Sequence, residues 1–173
     1  VTTKWGQGDP FNQKCPTINS TAVPTGCVAT AMSQIMNYYE YPSKGQGVSK
    51  YTVGKTSKLK SVADTYDWND MIDKYMFNST SGQQEAVATL MFDAGAAAHM
   101  TYSANESGAN DINAASALVY NFQYDSLALK YRIRELYSDN EWQDMVYGEL
   151  EKKSPIFYAA SDTINGGHAF LFD

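Results

Sequence analysis

The chain has 173 residues and carries 13 Lys+Arg against 19 Asp+Glu, a formal charge of −6. That length suits one domain able to bury most of its surface, and a composition that is 43% hydrophobic and 18% charged excludes disorder as the main state. No apolar run nears the ~20 residues of a membrane span. The acidic balance speaks against sequence-independent nucleic-acid binding, which needs Lys and Arg to neutralise phosphates.

Residues 1–26 are rich in Gly, Pro, Asn and Thr and read as an irregular arm. Their start lacks the apolar stretch of a signal peptide, so in an exported protein the leader would already be gone. Val28, Ala31, Met32, Ile35, Met36 and Tyr39 then recur at helical spacing, which predicts an amphipathic helix from 27 to about 40, stopped by Pro42. Residues 43–66 alternate around Gly45, Gly47 and Gly54 and read as a loop with short strand or hairpin pieces. A short helix is expected from Asp67 to about Met76, capped by Asp67 or Asn69. Ser79 to Gln83 reads as a loop.

A second long helix places Val87, Leu90, Met91 and Ala94 on one face. Residues 101–110 read as a Ser/Asn/Gly loop. A third helix carries Ile112, Ala115, Val119 and Phe122, and a fourth carries Trp142, Met145, Val146 and Leu150. Between these two, Leu127 to Ile133 alternates as a strand would. The apolar runs 155–160 and 168–172, separated by polar residues and Gly166-Gly167, read as strands of one antiparallel sheet. Helices first and strands last argue for an α+β fold.

The chain has two cysteines, Cys15 and Cys27, and two histidines, His99 and His168. Neither cysteine has a neighbour at metal-ligand spacing, so no zinc site is expected. Cys27 falls on the first turn of the best helix, where the dipole and unpaired N–H groups stabilise a thiolate. Composition alone favours the plainer account, a buried structural thiol. His168 opens an apolar strand beside two glycines. It could present its ring to a cleft and form an ion pair with a thiolate, or it could be an ordinary core or edge histidine. His99 ends a helix, where a cation suits the dipole. Gln7 could donate its amide to an oxyanion beside the Cys27 N–H, but a Gln in a Gly-rich arm is usually just solvated. The Asn-X-Ser/Thr triplets at 19, 78 and 105 read as polar loops. The Asp/Asn clusters at 67–73 and 110–113 lack the spacing of a calcium loop and suit helix capping.

Three motifs decide between these readings. Trp-Gly-Gln-Gly-Asp-Pro-Phe-Asn at 5–12, Thr-Gly-Cys-Val-Ala-Thr-Ala-Met-Ser-Gln-Ile-Met at 25–36 and Gly-Gly-His-Ala-Phe at 166–170 resemble streptopain-like cysteine proteases, a papain-like group secreted by bacteria. The likeness extends over Tyr38 to Gly45, Tyr66 to Ile72, Leu90 to Gly95 and Trp142 to Ile156, and so covers nearly the whole chain.

The resemblance implies a papain-like α+β domain over 1–173, with the helical layer centred on the Cys27 helix and packed on an antiparallel sheet. It implies Cys27 as nucleophile, His168 as general acid/base, and an oxyanion hole of Gln7 and the Cys27 backbone N–H. It also implies a substrate wall at Ser107, Gly108 and Ala109, with Gly167 bordering the cleft, and a preference for a hydrophobic side chain two positions before the cut. Protein or peptide substrates, no cofactor, a removed pro-segment (a zymogen) and secretion, or a periplasmic or cell-surface location, follow in the same way. The alternatives are an acyltransferase of transglutaminase type using the same pair, and a catalytically dead peptide-binding module.

Three departures stand out. The stretch from Gln7 to Cys27 is shorter than in the family. Cys15 is not a family residue, and is expected to be a surface thiol or a small apolar side chain. The family's chain continues past the His strand, through further strands carrying an Asn that orients the histidine, so the third catalytic residue and part of the sheet layer are expected beyond Asp173. Either a second chain produced by cleavage supplies that half, which is the favoured account, or 1–173 is a fragment of a larger polypeptide.

Overall fold

The computed structural model describes residues 1–162 and 166–173. The polar link expected between the last two strands therefore falls partly outside the described residues. The arm is irregular, as expected, apart from a small hairpin of β1 (Thr17–Ile18) and β2 (Thr21–Ala22). Helix α1 spans Cys27–Tyr39 and buries Val28, Ala29, Ala31, Met32, Ile35 and Met36. This is the helix that the period of the apolar residues predicts. It packs on α2 (Ser81–Ala97), which begins inside the stretch that reads as a loop. The missed signal is a capping box: Thr80 accepts from the Gln83 N–H while the Gln83 side chain accepts from Thr80 N–H.

Beside these helices, β3 (Val48–Val53) and β4 (Thr56–Ser61) form the hairpin foreshadowed in 43–66. The stretch 101–110, read as a loop, contributes β5 (Thr101–Tyr102), parallel to β3, and β6 (Ser107–Gly108), giving the order β4-β3-β5-β6. Helix α3 (Asp111–Tyr120) contacts both α1 and α2. Helix α4 (Asp139–Glu151) starts with a second capping box, from Ser138 and Glu141. It rests on β7 (Ile156–Asp162), with Trp142 edge-on to Tyr158 at 6.0 Å. β7 pairs antiparallel with β8 (Gly166–Phe172), and both pack on α1. The architecture is the expected α+β arrangement of helices packed on sheets. Among the described residues, no helix is long and apolar enough to cross a membrane.

Two expected elements do not form. Instead of a helix over 67–76 there is one 3-10 turn, Trp68–Asp70, capped by Asp67. The backbone beyond it is taken by the arm: Lys4 N–H donates to Asp73 O at 2.7 Å, and the Trp5 indole donates to Ile72 O at 2.9 Å. Residues 127–133 form no strand either. The Asp125 carbonyl accepts from Ala128 and Leu129, and its side chain from Leu127 N–H, which closes a turn. The alternating side chains that follow have no strand to pair with and are largely exposed.

The core gathers Met32, Met36, Leu90, Met91, Tyr102 and Phe122 between the helices and the β3 sheet. One ion cluster penetrates it. The fully buried Asp93 of α2 pairs with Lys60 of β4 and accepts the Tyr66 hydroxyl at 2.7 Å.

Candidate active site

Cys27 is the first residue of α1, and the residue before it has little conformational choice. Gly26 sits at φ +89°, a region that L side chains rarely adopt. A Cβ there would stand 2.7 Å from Met100 Cε and 2.8 Å from the Ser107 carbonyl oxygen. No side chain caps the helix, and its first turn holds no acidic residue. The free N–H groups and the positive end of the dipole therefore surround a half-buried thiol.

The arm reaches this point through backbone bonds. Thr25 N–H donates to Gln7 O at 3.0 Å, and Val23 N–H to Pro16 O at 3.0 Å. The buried Asn12 amide bridges the Ala22 and Val23 carbonyls, at 3.3 and 3.1 Å. Trp5 and Phe11 flank the segment around Gln7, each meeting Tyr75 edge-on at centroid distances of 6.5 and 5.2 Å. Gln7, itself half-buried, is thereby held beside the peptide that leads into Cys27.

The other expected residues distribute as follows. Ser107 is buried in β6, with its carbonyl against Gly26; Gly108 is exposed with open space around it, and Ala109 packs on the core. Ser107 thus stands against the start of α1. β8 docks on α1 through its Ala169 face. His168 lies at the exposed start of β8 opposite Ala160, with its ring stacked along Phe170 at 6.1 Å, and Gly167 is exposed opposite Ser161.

His99 is elsewhere. It is exposed at φ +57° just past α2 and lines a 290 Å³ depression with Ser49, Asn113 and Tyr120. Cys15 is buried against Tyr102, and burial pushes its thiol up to about 12. Of the two environments expected for it, this is the small apolar one, not the surface. Met100, Thr25 and Thr30 also shape the site. Nothing in the sequence marks Met100, which meets Gly26 only through the fold, whereas Thr25 and Thr30 lie inside the 25–36 motif and act through each other and Gly26.

The sequence profile of the peptidase C10 family matches residues 5–173. The chain is 35% identical over 174 residues to the thiol protease/hemagglutinin PrtT of Porphyromonas gingivalis, covering 98% of this chain and 20% of that protein. It is 30% identical over 188 residues to streptopain of Streptococcus pyogenes, covering 98% of this chain and 47% of that one. The chain thus spans half or less of the length of these relatives. Among solved structures, active interpain A cysteine protease of Prevotella intermedia superposes with a TM-score of 0.89 at 35% identity, over 99% of this chain and 74% of that one. A prointerpain A fragment from the same organism gives the same TM-score over 56% of its length.

Proposed function

Because this chain belongs to the peptidase C10 family, we propose that it acts as a cysteine endopeptidase with Cys27 as nucleophile and His168 as general acid/base. The observation that carries the reading is the seat of Cys27, at the head of an uncapped helix with Gln7 tied to Thr25 just before it. The Cys27 thiolate adds to the scissile carbonyl, and the displaced electron pair moves to oxygen. The Gln7 amide and the Cys27 N–H then face that oxyanion. Collapse expels the amine as His168 gives it a proton, leaving an acyl-enzyme. Water, deprotonated by His168, attacks the thioester and releases the acid and the thiol. The pairing of His168 with Cys27 is drawn from the Gly-Gly-His-Ala-Phe motif; it is the Ala169 side of β8, opposite to His168, that packs inward.

The wall at 107–109 and Gly167 would flank the peptide, and a hydrophobic side chain two positions before the cut belongs to the same reading. So do export, a removed pro-segment, and a third catalytic group contributed from outside 1–173, by a continuation of the chain or by a second chain. The relative named prointerpain A supports a pro-form for that protein.

The test is a thiol-directed epoxide inhibitor on the full-length protein, followed by peptide mapping, with turnover of a peptide amide in parallel. The reading expects one adduct at Cys27, lost in His168→Ala, and a fall in kcat of about 10³-fold or more in either Cys27→Ala or His168→Ala. Adducts at Cys15 as well as Cys27 would reject an assembled site. Amine capture outrunning hydrolysis would favour acyl transfer, and peptide binding without turnover would favour a dead module.

A further inference from the structure

Thr25 and Thr30 lie beneath the proposed nucleophile. Thr25 is fully buried and Thr30 nearly so. Their hydroxyl oxygens are 3.0 Å apart, and Thr30 Oγ1 lies 3.1 Å from the Gly26 carbonyl oxygen. Each hydroxyl has one proton to give. The Gly26 carbonyl can only accept, so Thr30 donates to it, and Thr25 must then donate to Thr30. The same carbonyl accepts the Thr30 backbone N–H at 3.1 Å, so both of its lone pairs are engaged.

The consequence follows from the planarity of the peptide. The Gly26 carbonyl and the Cys27 N–H belong to one rigid unit and point in opposite directions. Pinning the carbonyl fixes the N–H. Without the pin, a glycine at this junction leaves that unit freer to rotate than any other residue would. Thr25 has a second task, because its N–H holds the Gln7 carbonyl at 3.0 Å. The Gln7 backbone is thus tied to the same segment, by a main-chain bond that does not depend on the hydroxyls.

We propose that Thr25 and Thr30 are positioning residues of the oxyanion hole: a buried hydroxyl relay from Thr25 through Thr30 to the Gly26 carbonyl sets the direction of the Cys27 N–H. This rests on the reading of Cys27 as the nucleophile.

The experiment compares wild type, Thr30→Val, Thr30→Ser and the double variant Thr25→Val/Thr30→Val in the full-length protein. The single valine leaves the Thr25 hydroxyl buried without an acceptor. The double variant removes both partners and orphans neither. Three quantities are read: kcat and KM on a peptide amide, affinity for a peptide aldehyde, and the rate of Cys27 alkylation by iodoacetamide across pH. The aldehyde adds the thiol across its carbonyl, with the S–C bond forming and the thiol proton passing to oxygen, and that oxygen takes the oxyanion position. Alkylation is a displacement at carbon with loss of iodide and builds no oxyanion.

Both valine variants should lower kcat about 10-fold, with KM and the alkylation profile within about 2-fold of wild type, and should weaken the aldehyde by the same factor as kcat. Thr30→Ser should recover to within about 3-fold of wild type. An unchanged kcat in the valine variants, a serine variant as impaired as valine, or alkylation slowing in step with kcat would each overturn the proposal. Unfolding of both valine variants would assign the pair a purely structural role and overturn it as well. Failure of iodoacetamide to label Cys27 in wild type would instead reject the nucleophile assignment, and this proposal with it.

Discussion

Cys15 and Cys27 carry the same side chain into opposite environments. Cys15 is 5% exposed and its thiol is pushed by burial from 9.0 to about 12. Cys27 sits half-buried at the head of an uncapped helix, within reach of solvent. Iodoacetamide at pH 8 should therefore label Cys27 alone in the native protein and both thiols in urea, as read by peptide mapping. The same shift has a stability consequence. The folded chain holds the Cys15 proton longer than the unfolded chain does, so this group's contribution is present below pH 9 and fades as pH rises toward about 12. Cys15→Ala should flatten that alkaline loss in denaturation curves measured pH by pH.

Gly26→Ala makes a second residue-scale prediction. Met100 can swing away from a new Cβ but the Ser107 carbonyl cannot, and the positive φ remains. A loss of about 1–3 kcal/mol is expected in urea titrations, together with reduced turnover. Gln7, Cys27 and His168 stood out as candidates in the sequence because their neighbours form motifs. Met100 did not, because it meets Gly26 only after the chain has folded back; Thr30 lies inside a motif, but its hydroxyl bonds to Thr25 and Gly26 show only in the folded turn.

At the scale of elements, the buried Asp93 joins α2 to the β4 strand through Lys60, with Tyr66 completing its hydrogen bonding. Removing one partner of a buried pair strands the other. Asp93→Asn should therefore cost about 3 kcal/mol, visible as a lower urea midpoint at unchanged slope. No change in midpoint would show that Lys60 finds its compensation in Asp64, which it also contacts at 2.9 Å. Helix α1 was readable in extent and in face from its apolar stripe; α3 and α4 were readable as helices, but α3 buries Ala114, Ala117 and Leu118 rather than the Ile112 side, and α4 buries no residue fully. The stretches 67–76 and 127–133 were not readable. Local pattern favoured a helix in one and a strand in the other, and the outcome was decided by bonds to Lys4 and Trp5 in the first and by the Asp125 turn in the second.

At the scale of the molecule, the β7–β8 hairpin stands apart from the β3 sheet. Among the described residues its strands pair only with each other, and Phe170 and Phe172 remain 36% and 39% exposed. A two-stranded ribbon is marginal without a packed face, and here that face is supplied by α1 through Ala169. Expressed alone, residues 1–173 should show faster amide hydrogen exchange in β7 and β8 than in α1 and α2. Equal protection would mean that the hairpin opens only with the whole domain. The two apolar runs announced these strands, but nothing local revealed which face would meet α1.

The docking of β8 on α1 also bears on how the chain is born. A ribosome delivers the arm, Gly26 and α1 well before β8. The nascent chain can close its Gln7–Thr25 bond and its threonine relay while His168 is still unmade. On the proposed chemistry, no hydrolytic power exists before the β7–β8 hairpin is seated, however much of the helical layer has already folded.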